Sequence, residues 1–202
     1  NYVWNSLPSQ LAKENRKFVY QLVRPGARAR EYEDAILWLE QAGLVNKVLL
    51  SKAPKLPLKA YDDLGTFKLY TLDLGVLRKL SELDASILLL PTPAYTEYKG
   101  ALAENYILQS LTAQFQMPFR YWTSGNKAEV DFLLQYINQI YPIEVKADQN
   151  IQGKSLIQYE KLFQPACRIR YSMLNLKQDG NLLNIPLFLA DKTRELLGVI
   201  NV

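Results

Sequence analysis

Histidine is absent from all 202 residues. That gap removes Ser-His-Asp and Cys-His triads, histidine-rich zinc sites and imidazole general bases from this chain's own chemistry. Cysteine is nearly absent as well. Cys167 is the only one, so no internal disulfide can form, and its place in an apolar-basic, strand-like run suits a reducing compartment. Apolar runs are short, Ile87 to Leu90 among them, and fall far below the roughly 18 residues that cross a bilayer. A folded, cytoplasmic protein without a membrane segment is expected.

A strong charge of either sign is also missing. The net charge of +4 divides evenly, +2 before Lys99 and +2 from Lys99 onward, which is a weak electrostatic footprint for nucleic acid. The opening residues Asn1 to Ser6 lack an initiator Met, a basic start and an apolar signal core, so no secretion signal is read and a piece of a longer protein is expected. What the chain has in quantity is apolar side chains, 49% of residues with 11% aromatic, enough to fill one large core or two small ones.

Periodicity suggests two parts. Ser9 reads as a cap for an amphipathic run from Gln10 to Asn15. Tyr32, Ala35, Ile36 and Leu39 recur at helical spacing with Gly43 as a stop, predicting a helix over 31–42. Residues 44–50 and 67–73 read as two strands around a Pro- and Lys-bearing loop, and 74–83 as a short helix. Two helices followed by a hairpin with a basic loop is the plan of a winged helix. The Pro91-Thr92-Pro93 turn is the expected boundary, giving parts 1–93 and 94–202. In the second part a helix carries Leu102, Tyr106 and Leu111. Strands follow at 119–123, 129–136 and 139–146, then a helix at 154–163 and extended segments at 168–173 and 184–190. The fold class is therefore α+β or α/β.

Side chains two apart on a strand share a face, which pairs Glu129 with Asp131 and Glu144 with Lys146. If the two strands form a hairpin, one acid from each stands side by side. Oxygen ligands from Glu104, Asp131 and Glu144 suit Mg²⁺ or Mn²⁺. A lysine two residues beyond the last acid can orient or deprotonate a water and offset phosphate charge. This is a phosphodiester hydrolysis site that needs no histidine. The competing reading is a pair of amphipathic strands with a solvated Glu-Lys face.

Gly100-Ala101-Leu102-Ala103-Glu104-Asn105, Tyr121-Trp122-Thr123-Ser124, Glu129-Val130-Asp131-Phe132 and Ile143-Glu144-Val145-Lys146 carry a resemblance. They are similar to the C-terminal domain of unknown function that follows AAA-type ATPase modules in bacteria and archaea. That domain resembles the PD-(D/E)XK nucleases, including archaeal Holliday-junction-resolvase-like members. Leu7 to Ala12, Tyr32 to Ala35, Trp38 to Leu44 and Lys68 to Asp73 resemble the winged-helix region of the same proteins. The resemblance implies a winged-helix region over 1–93 and a nuclease-like domain over 94–202. It also implies Glu104 as helix-borne acid, Asp131 as metal ligand, Glu144 and Lys146 as the paired acid and lysine, DNA as substrate, and an upstream ATPase module as partner. Val130 stands where the nuclease pattern often has proline.

Gly153-Lys154-Ser155 imitates the end of a phosphate-binding loop, but Asp148 occupies the place of its first glycine, so no ATP site is expected here. Lys154, Arg120 and Lys127 are candidate nucleic-acid contacts. The acids Glu31, Glu33, Asp34 and Glu40 argue against 31–42 as a groove-reading helix. Tyr121 and Trp122 are expected in the core rather than stacked on bases. A catalytic DNA endonuclease and a non-catalytic DNA-binding or regulatory module of the ATPase remain as alternatives.

Overall fold

The computed structural model describes residues 1–84, 93–125, 128–147 and 153–200. The apolar stretch at Ile87 to Leu90, and Pro91 and Thr92 of the expected boundary, lie outside the described residues. Mixed α and β structure is observed, with six α-helices among the described residues: α1 (Tyr2–Leu11), α2 (Ala29–Gln41), α3 (Leu74–Leu80), α4 (Pro93–Phe115), α5 (Lys154–Phe163) and α6 (Thr193–Ile200). The strands are β1 (Val45–Ser51), β2 (Asp62–Thr71), β3 (Arg120–Thr123), β4 (Glu129–Tyr136), β5 (Gln139–Val145), β6 (Arg168–Ser172), β7 (Lys177–Asp179) and β8 (Leu182–Pro186). They make one mixed sheet in the order β2-β1-β3-β4-β5-β6-β8-β7. No helix among the described residues is long and apolar enough to cross a membrane.

The chain packs as two compact units, one built from 1–48 and 65–106, the other from 49–64 and 107–202. Each takes residues from both sides of the expected 91–93 boundary.

In the first unit, Val3, Leu7 and Leu11 follow one another at four-residue spacing and are all buried, which sets α1 over 2–11. Ser9 therefore lies inside the last turn and caps nothing, contrary to the sequence expectation, and the run to Asn15 continues beyond the helix. Helix α2 forms where its apolar spacing predicts and is followed by Gly43 at φ +69°, a left-handed position that glycine adopts without steric cost. Two side-chain amides stand in for strand neighbours. Gln10 donates to Val19 O and accepts from Val19 N, both at 2.9 Å. Asn105 Oδ1 accepts from Thr71 N at 3.0 Å, and its Nδ2 donates to Thr71 O at 3.3 Å. The polar residue on the buried face of α4 is thus satisfied by the end of β2.

In the second unit, β4 and β5 pair antiparallel from Tyr136↔Gln139 to Phe132↔Ile143. Ile137 and Asn138 form the two-residue turn between them, both with positive φ, 43° and 57°. Two successive left-handed residues give the turn geometry whose twist matches the flanking strands. Helix α5 is the crossover between the parallel neighbours β5 and β6, as parallel strands require. Trp122, Val130, Leu133, Leu156 and Tyr159 pack as one apolar cluster, and Trp122 meets Tyr159 edge to face at 5.3 Å. Tyr121 is buried as well, so both aromatics are core, as expected. The extended segment expected over 184–190 ends at Pro186, after which 187–192 form a 3₁₀-helix leading into α6.

Candidate functional site

The hairpin of β4 and β5 positions the acids. Continuing its register one step past Phe132↔Ile143 sets Asp131 opposite Glu144, on one face. There the ladder opens and a side chain intervenes: Val145 N donates to Asp131 Oδ2 at 2.8 Å. Glu144 is buried, and Lys146 Nζ lies 3.0 Å from its Oε1. Glu144 Oε2 is buried with no hydrogen-bond partner. Burial pushes the Glu144 carboxyl above its usual range. Lys146 pulls it back, Asp131 raises it further, and Arg170 lowers it. The side chain of Lys146 is one-third exposed, so the acid pair is buried and its lysine reaches solvent.

An orphaned carboxylate oxygen in a buried site is a costly arrangement that a cation would relieve. The donor set, two carboxylates with a lysine alongside, fits a hard divalent ion that keeps several of its waters. Asp131 and Glu144 are the residues that could hold it. No group of three or more His, Cys, Asp or Glu placed to hold a metal is found among the described residues.

Glu104 belongs to the first unit, and both its oxygens are engaged there. Tyr70 Oη donates to Oε2 at 2.8 Å, and Arg16 Nη1 contacts Oε1 at 2.8 Å. Gly100, one turn earlier on α4, leaves room for that arginine, because a Cβ there would come within 2.9 Å of Arg16 Nη2. The carboxylate expected as a third metal ligand is the acidic half of an internal ion pair.

The expected nucleic-acid contacts fare differently from one another. Arg120 is buried and clamps Asp62 through Nε to Oδ1 and Nη2 to Oδ2, each 2.9 Å. The partner is far away in sequence, and the bidentate pair ties the buried guanidinium into the fold. Lys154 is exposed in the first turn of α5. Lys127 and Asp148 lie outside the described residues.

One site residue escaped the sequence reading. Arg170 on β6 is in register with Glu144 and its charge is felt there. The signal was the alternation Arg168-Ile169-Arg170-Tyr171-Ser172, which sets two arginines on one strand face. Of these, Arg168 is bound to Glu160 at 3.0 Å and to Asn181 at 2.7 Å.

Residues 99–188 match the model of a domain of unknown function (DUF4143), and residues 1–87 match that of a second domain of unknown function (DUF8612). The first is commonly found with AAA ATPases. No curated protein matches the chain. Among solved structures, protein VC1899 from Vibrio cholerae matches with a TM-score of 0.33 and 15% identity, over 98% of this chain and 50% of that one. The chain thus spans half the length of that protein.

Proposed function

We propose that Asp131, Glu144 and Lys146 form a centre that hydrolyses phosphodiester bonds in DNA with Mg²⁺ or Mn²⁺. The observation that carries this reading is Glu144, a buried carboxylate with one oxygen lacking a partner and Lys146 on the other. A divalent cation, when bound, supplies Lewis-acid chemistry, polarising a phosphoryl oxygen and lowering the pKa of a water. Asp131 and Glu144 would hold it. Lys146 then orients the attacking water, accepts or returns its proton, or offsets charge building on the phosphate. Burial raises the pKa of Glu144, and holding a cation there would favour its ionised form.

The acid pair on an antiparallel hairpin, followed by a crossover helix and a parallel strand, supports the PD-(D/E)XK nuclease-like reading of 94–202. Helices α1 and α2 followed by β1 and β2 support the winged-helix reading of 1–93. The match to a domain commonly found with AAA ATPases supports an upstream ATPase module as partner, and with it a cytoplasmic setting.

A second reading, a DNA-binding or regulatory module that does not cut, is favoured by Glu104. Its oxygens are held by Tyr70 and Arg16, an internal ion pair that has a role in the fold without a metal.

Cleavage separates the two. Plasmid and branched DNA are incubated with the protein and Mg²⁺ or Mn²⁺, with and without the ATPase module, beside Asp131→Ala and Lys146→Ala. Nicking by the wild type that both substitutions abolish is expected. Retained DNA binding with no metal-dependent cleavage would overturn the enzyme in favour of the binder.

A further inference from the structure

The start of α1 and one face of α2, both in the first unit, line a cavity of about 570 Å³. Glu31, Ala35 and Trp38 follow one another at helical spacing, so they share the face of α2 that borders it. Tyr2 and Trp4 come from the first turn of α1, and Tyr32 completes the aromatic lining. Two of the chain's three tryptophans thus meet at one cavity. Tyr2 and Trp38 are each 63% exposed, which leaves apolar ring surface in water that a ligand would cover.

Among the described residues no lysine or arginine lines the cavity, although basic residues outnumber acidic ones in the chain by 24 to 20. Glu31 is the charged side chain there. Aromatic faces are the negative side of the ring quadrupole, and a carboxylate beside them adds to the same field, so the cavity favours a cation.

Hydrogen bonding decides which cation. Glu31 Oε2 accepts from Arg28 N at 3.2 Å, closing the first turn of its own helix, and the other side-chain acceptors of the lining are Asn1 and two phenolic hydroxyls. Ammonium and guanidinium groups bring several N–H donors that must each find a partner. A quaternary ammonium brings none. Its charge is spread over methyl groups that pack directly on ring faces. The volume falls in the roughly 300–1,000 Å³ range of ligand cavities, with room for carbon atoms beyond the cationic head.

We propose that this cavity binds a quaternary ammonium ligand, with Tyr2, Trp4, Tyr32 and Trp38 as its aromatic cage and Glu31 as its counter-charge. The assignment does not depend on the phosphodiester reading of Asp131, Glu144 and Lys146.

The test titrates the full chain with choline and with dimethylbutanol, the uncharged isostere in which carbon replaces nitrogen. Asn1 is acetylated throughout, which removes the α-amino charge from a lining residue. Binding is followed by the indole N–H resonances of Trp4 and Trp38, with Trp122 of the second unit as reference. Choline should saturate, moving Trp4 and Trp38 but not Trp122, and should bind about tenfold more tightly than the alcohol. Glu31→Gln keeps an oxygen for the Arg28 amide and Trp38→Leu alters an exposed ring, so both should melt as the wild type does. Each should weaken choline about fivefold. No saturation by choline, equal binding of the alcohol, or unchanged affinity in both variants overturns the assignment. Argininamide that binds as tightly as choline overturns it too, in favour of a guanidinium.

Discussion

Asp131 reaches across the open end of its hairpin to accept the amide hydrogen of Val145, 2.8 Å away, so the first acid of the site is tied to the strand that carries the second. The bond has two separable consequences, one for the fold and one for the ion. Asp131→Asn keeps an oxygen for the Val145 amide and should leave stability nearly unchanged while abolishing metal-dependent stabilisation. Asp131→Ala leaves a buried N–H unpaired and should cost about 1–3 kcal/mol in urea unfolding. Equal stability of the two variants would show that the bond does not support the fold.

Glu144 gives a pH dependence of definite sign. Burial raises its pKa in the folded state, so the folded chain binds more protons than the unfolded one just above the ordinary carboxyl range. The associated stability is fully present below the unfolded pKa and is lost as pH rises through the higher, folded value. Glu144→Gln removes that loss. The variant should match the wild type near pH 4 and exceed it near pH 7, read as melting temperatures across that window without divalent ions. Adding Mn²⁺ at pH 7 should raise the wild type only. A stability gap that does not change with pH would contradict the burial argument.

The Arg16–Glu104 pair, with Tyr70 on the second oxygen, is almost wholly buried. Removing one partner of such a pair strands the other charge. Arg16→Met should therefore destabilise by about 3 kcal/mol. Arg16→Met combined with Glu104→Gln, which replaces both charges, should recover most of it, giving a large coupling in a double-mutant cycle. Simple additivity would mean that the carboxylate does not depend on Arg16.

What the sequence revealed was what is local. The alternation of Val130, Phe132, Ile143 and Val145 with polar neighbours located β4 and β5 and put Asp131 and Glu144 on adjacent strands, because period-two patterning fixes both element and face. Helix α2 was readable for the same reason at period 3.6. Helix α1 was displaced in the reading by Ser9, a good cap residue, although the four-residue spacing of Val3, Leu7 and Leu11 marked the true span. Pairings distant along the chain were hidden. Nothing in the surroundings of Glu104 announces Arg16 or Tyr70, and nothing beside Arg120 announces Asp62. Whether a charged side chain faces a ligand or an internal counter-ion is decided by such partners. Arg170 was overlooked because its meaning comes from register with β5 and β8 rather than from its own strand.

The two-residue turn at Ile137 and Asn138 has a consequence for how the acid pair comes into being. A hairpin closed so tightly is among the earliest structures a chain can form, on the order of microseconds, whereas the parallel neighbours β6 and β8 wait on crossovers. Asp131 and Glu144 can thus meet before the rest of the sheet exists, with Arg170 joining only once the long-range strands arrive. The acids and Lys146 then belong to one contiguous stretch, residues 129–146, while the place of Arg170 beside them is a property of the finished fold.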